Sequence, residues 1–137
     1  MMRTEVTTEW NGEVVKRKGQ SATGKSTYEI GISVANQAKL LSPKKTGRLR
    51  GSITAQSANN GTEVEAPAEA DDKITGPSGG LDTYVGTSVE YGPYMEFGTV
   101  RSNAQPFLRP ALDSIVGQAV SIVRKNAKTE FGDYLKQ

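Results

Sequence analysis

The chain has 137 residues and a formal net charge of +2, with no Cys and no His. Their absence excludes disulfides, thiolate nucleophiles and the usual zinc ligand sets, and removes the commonest general base. Carboxylates and lysines alone can still catalyse, so the composition argues against an enzyme without forbidding one. A hydrophobic share of 35% suits one domain with a single modest core.

No apolar signal core opens the chain at Met1–Val6, and no stretch approaches the length of a membrane span. The expectation is a soluble, unsecreted protein, or one released by lysis, with no membrane partner. The charge is unevenly placed. Five bases and no acid lie between Lys39 and Arg50, whereas Glu63, Glu65, Glu69, Asp71, Asp72 and Asp82 face only Lys73 between Gly61 and Asp82.

Thr4–Trp10 alternates apolar and polar residues and is followed by Asn11-Gly12, a dipeptide suited to a type I′ turn. Glu13–Lys18 then reads as a return strand, giving an N-terminal hairpin. Gly19–Ser26 is small and polar and reads as a loop. Between Thr27 and Leu41 the series Ile30, Val34, Ala38, Leu41 has helical spacing, and Ser42-Pro43 stops the helix. Gly47–Leu49 is a turn or short link, and Gly51–Gln56 a strand.

Ser57–Leu81 is acidic and poor in apolar residues, and reads as a long mobile loop between two paired strands. Leu81–Val89 is the second of these strands. Tyr91–Phe97 is a short helical turn, and Gly98–Gln105 a loop. Pro106–Pro110 leads into the longest helix. One face of it carries Leu112, Ile115, Val116, Ala119, Ile122, Val123, Ala127 and Phe131. The predicted class is α+β: an antiparallel sheet packed by a central helix and a long C-terminal helix, all in one domain spanning residues 1–137.

Several motifs bear on chemistry. Gly19–Ser26 has the spacing of a phosphate-binding loop, whose backbone N–H groups would cradle phosphates while Lys25 neutralised them. The preceding Lys16-Arg17-Lys18 is no buried parallel strand, and no apolar run ends in an Asp to hold magnesium, so the spacing reads as coincidence. Glu90 and Glu96 carry no mark of an acid–base pair. Glu96 reads instead as a turn cap or a partner of Arg109 or Arg48. No cofactor or metal is expected. The cluster Lys39, Lys44, Lys45, Arg48 and Arg50 can face DNA or an acidic partner, but lacks interleaved aromatics for base stacking. A small nucleic-acid-binding module built on this cluster is the alternative reading.

The stretch Tyr91-Gly92-Pro93-Tyr94-Met95-Glu96-Phe97-Gly98-Thr99 is either a rigid corner or an interface patch, because Tyr, Phe, Met and Arg are favoured at protein contacts. Candidate interface residues are Tyr91, Tyr94, Met95, Glu96, Phe97, Arg101, Phe107 and Arg109.

Three blocks together resemble the head–tail joining, or tail-completion, minor structural proteins of long-tailed double-stranded DNA bacteriophages. They are Ala38–Ile53, with its Ser42-Pro43 and Thr46-Gly47-Arg48-Leu49; Val85-Gly86-Thr87 through Tyr91 to Glu96-Phe97-Gly98-Thr99; and Gln105–Asp113, with Pro106-Phe107-Leu108-Arg109-Pro110-Ala111. They cover about a third of the chain, in the family's order, and their combination is more specific than any one alone. The resemblance implies a non-enzymatic virion protein, assembled in the host cytoplasm and placed at the head–tail junction. It would form a ring of six copies, with twelve the alternative, through whose lumen DNA passes. Its neighbours would be a portal-side connector or head-completion protein and a tail terminator or tail-tube protein.

Overall fold

A computed structural model describes residues 11–44, 47–57 and 81–132. The element order is α1 (Gly12–Leu41), α2 (Arg48–Ser52), β1 (Ile53–Ser57), β2 (Thr83–Thr87), α3 (Gly92–Phe97) and α4 (Leu108–Phe131). The α+β class stands: a two-stranded antiparallel sheet accompanied by a long N-terminal and a long C-terminal helix.

The N-terminal hairpin is corrected by this structure. Glu13–Lys18, expected as a return strand, and Gly19–Ser26, expected as a loop, are both inside α1. The proposed outgoing strand, Thr4–Trp10, lies outside the described residues. Asn11 does not turn the chain; its carbonyl accepts the N–H groups of Val14 and Val15 and opens the helix. Glu13 adds a favourable negative charge in the first turn. With thirty residues, α1 is ~45 Å long.

Intrinsic propensity does not explain α1, since it holds Gly12, Gly19, Gly24 and Gly31, each about 1 kcal/mol worse than Ala in a helix interior. Packing and local bonding outweigh that. The hydroxyls of Thr23, Ser26 and Ser33 donate to the carbonyls of Gly19, Ala22 and Glu29, so these polar residues are satisfied within the helix. Small side chains let neighbours come close. A Cβ on Gly31 would meet Cγ2 of Thr83 at 2.5 Å, so α1 crosses the sheet closely enough there that any side chain would have to displace Thr83. The helix ends as expected at Ser42, which is extended before Pro43 and whose N–H bonds the Ala38 carbonyl.

β1 and β2 pair in the register Ile53↔Thr87, Ala55↔Val85 and Ser57↔Thr83, the two strands expected on either side of the long acidic segment. Residues 58–80 of that segment lie outside the described residues. Such a two-stranded sheet is marginal alone and is held by α1, which packs on both strands.

α4 departs from the expected layout. It lies chiefly along α1 rather than on the sheet, running antiparallel to it. Gly19 approaches Phe131, Ser26 bonds Asn126, and Ala38 shares a core with Ala111. That core joins Val34, Ala35 and Ala38 of α1, Leu49 of α2, Ile53 and Ala55 of β1, and Phe107, Ala111 and Ile115 at the start of α4. Towards the other end the helix pair is joined by polar contacts. Lys25 pairs with Glu130, Lys125 lies 3.8 Å from Glu29, and the buried Asn126 amide donates to the Ser26 hydroxyl at 3.2 Å.

Candidate functional site

The Tyr91–Arg109 region closes into a joint between α3 and α4. Its centre is Glu96. One carboxylate oxygen accepts the N–H groups of Phe107 and Leu108 at 2.8 and 2.9 Å, and the other accepts that of Arg109 at 3.0 Å. These are three of the four donors that open α4 and have no partner within the helix. The fourth position is Pro110, which has no N–H. Glu96 and Pro110 together leave the helix start with no unmet donor. Partial burial raises the Glu96 carboxyl. The three N–H bonds and the nearby Arg109 charge outweigh it, and the group sits below the ordinary carboxylate value.

The backbone around this cap is equally constrained. Gly98 ends α3 with φ +76°, and a Cβ there would come within 2.7 Å of the Ala104 nitrogen. Thr99 and Ser102 form a tight antiparallel bridge, and Gln105 donates to the Met95 carbonyl at 2.7 Å. Phe107 is 0% exposed, the largest fully buried side chain among the described residues. Met95 packs against the same core.

The eight residues expected at an interface therefore divide. Phe107, Met95 and Glu96 serve the chain's own fold, through burial or capping. Tyr91, Tyr94, Phe97, Arg101 and Arg109 are exposed, Phe97 at 76%. The expected pairing of Glu96 with a base takes a different form: backbone donors hold it, and Arg109 acts through its charge.

In the basic cluster, Lys39 is half-buried in the last turn of α1, and Lys44 and Arg48 are exposed. Arg50 is half-buried, and its Nε and Nη2 are buried without a hydrogen-bond partner among the described residues. Lys45 lies outside the described residues. The phosphate-loop reading is closed by geometry. Gly19–Ser26 is continuous helix, Lys25 pairs with Glu130, and the Ser26 hydroxyl is engaged by Ala22 and Asn126.

Sequence reasoning missed two features of α4. The apolar face read as one surface is two. Ala111 and Ile115 are buried, but Leu112, Val116, Val120 and Val123 form an adjacent uncovered ridge, with Val120 63% exposed. Beside its N-terminal end opens a groove of about 850 Å³, walled by Ile30 and Val34 of α1, Tyr84 and Val85 of β2, Phe97 of α3, and Leu108 and Leu112 of α4. Asp82, Thr83 and Thr27 line it where Thr27 donates to the Leu81 carbonyl, and Gly92, Glu96 and Arg109 line it where Gly92 lies against Thr87 at the far end of β2. The width of the apolar arc on α4 was the available signal, since two stripes exceed what one neighbouring helix covers. Of the groove the sequence signalled only Phe97 and Arg109, both foreseen as interface residues, because four elements build it.

No described helix is long and apolar enough to cross a membrane. Comparison of the chain with protein-family models, with curated proteins and with solved structures finds no match in any of the three.

Proposed function

We propose that this chain is a non-enzymatic virion protein that forms a ring at the head–tail junction of a long-tailed double-stranded DNA bacteriophage, with DNA passing through its lumen. The observation that carries the reading is the contrast between a closed joint and an uncovered apolar flank. The three blocks that resemble the tail-completion family fold into one locked unit: Leu49 and Ile53 from the first, Met95 and Glu96 from the second, Phe107 and Ala111 from the third. The ridge and groove beside them leave large apolar side chains in solvent, as in a subunit completed by its neighbours.

In this reading the ring has six copies, with twelve the alternative, and sits between a portal-side connector and the tail terminator or tube. Its members act by shape and contact rather than by chemistry. The test is complementation in vitro. DNA-filled heads and tails lacking a joining protein are mixed with the purified chain, and joined particles are counted by electron microscopy and infectivity. Joined, infectious particles carrying a ring of the chain at the neck are expected. Heads and tails that stay apart at every concentration would overturn the proposal.

A further inference from the structure

The ridge and the groove are different surfaces of one chain. Leu112 joins them side by side, so a chain cannot seat its own ridge in its own groove. Together with Tyr84 and Phe97 they expose on the order of 600–800 Å² of apolar side chain, more than the largest patch of an ordinary monomer, and one ridge seated in one groove would cover about that area summed over both partners.

Their charges are arranged as complements. The ridge begins beside Asp113 and ends beside Arg124, eleven residues of helix or ~16 Å. The groove runs along β2 from Asp82 towards Arg109, and the strand alone spans ~17 Å from Asp82 to Thr87. Laid with Asp113 at the Arg109 end, the ridge brings Arg124 to Asp82. All four charged residues are exposed, and no ion pair joins any of them among the described residues.

We propose that the occupant of the groove is a second copy of this chain, whose α4 ridge of Val116, Val120 and Val123 seats between β2 and α4 of the first. Each chain gives its ridge to one neighbour and its groove to another. The contact is therefore head-to-tail and repetition about an axis closes a ring, whereas a reciprocal exchange between two chains would close as a dimer. This inference deepens the ring reading by naming the surfaces that meet.

The chain has no cysteine, so introduced thiols are unique. Val120→Cys places one on the ridge and Tyr84→Cys one in the groove, both at exposed positions. Treated with a flexible bis-maleimide, the full-length double variant is expected to give a ladder of dimers, trimers and higher species. Each single variant alone should stay largely monomeric. Arg124→Asp should weaken the ladder roughly tenfold at low salt, and Asp82→Arg in the same chain should restore it. A Val120→Cys chain that links to itself efficiently would mean ridge-to-ridge pairing and overturn the proposal. So would a double variant that stays monomeric, or that links no further than dimers, across the concentration range. The same preparations are used in the joining assay. A ladder without joining upholds this contact and overturns the head–tail reading. Joining by a chain that gives no ladder does the reverse.

Discussion

The joint between α3 and α4 and the outer flank of α4 are neighbours in sequence and opposites in construction. In the joint every demand is met within the chain: Glu96 takes three helix-opening N–H groups, Pro110 removes the fourth, Gly98 supplies the positive φ, and Phe107 is wholly buried. On the flank, Leu112, Val116, Val120 and Val123 remain in solvent beside an apolar groove. The motif residues thus divide: Glu96, Gly98 and Phe107 belong to the fold, Phe97, Arg109 and Leu112 reach the groove, and the ridge of Val116, Val120 and Val123 lies beyond the motif. Substitutions in the joint should cost stability, and substitutions on the flank should cost association alone.

The largest effect is expected at Phe107. Phe107→Ala removes a fully buried ring shared by four elements and should lower unfolding free energy by about 3–5 kcal/mol in urea titration. A loss below about 1 kcal/mol would break the comparison, since the joint would then not be a keystone of the monomer.

Glu96→Ala comes next, at about 2 kcal/mol, because three helix-opening donors lose a charged acceptor. Its pH dependence sharpens the assignment. The folded Glu96 has a lowered pKa, so the folded state binds fewer protons than the unfolded chain. The contribution is fully present above the ordinary carboxylate value and is lost as pH falls through the folded one. Glu96→Gln should flatten that part of the acid unfolding curve; an unchanged curve would remove the charge from the cap.

Gly31→Ala should cost about 1 kcal/mol net. Overpacking against Thr83 is worth about 1–3 kcal/mol, and the gain in helix propensity returns up to about 1. Equilibrium unfolding measures the net, and a stabilised variant would mean that α1 can move off the sheet freely. The smallest effect on folding is expected at Val120. Val120→Asp should leave monomer stability within about 0.5 kcal/mol, as for other exposed positions.

Much of this fold was legible in the sequence. Helical spacing at Ile30, Val34 and Ala38 located the second half of α1, the Pro-bounded lead located α4, and both strands were placed within two residues. The first half of α1 was not legible. Asn11-Gly12 followed by Val14-Val15 carries hairpin signals, and Gly19–Ser26 carries loop composition. What makes both helical is tertiary, as Phe131, Asn126 and Glu130 approach from a hundred or more residues away. Asn126 shows the same limit, since a lone Asn on a helix reads as surface until its partner Ser26 is known. At the site, Glu96 was foreseen as a cap or ion-pair partner. That it opens a second helix follows only from the turn that brings Phe107 back to it.

The joint makes the subunit, and the α4 flank makes the assembly. Sedimentation velocity of the wild-type chain and of Val120→Asp, over a wide concentration range and with circular dichroism alongside, separates the two roles. A discrete closed oligomer is expected for the wild type and a monomer of unchanged helicity for the variant. A wild-type chain that is monomeric throughout, or a variant that sediments like the wild type, would contradict this division of roles.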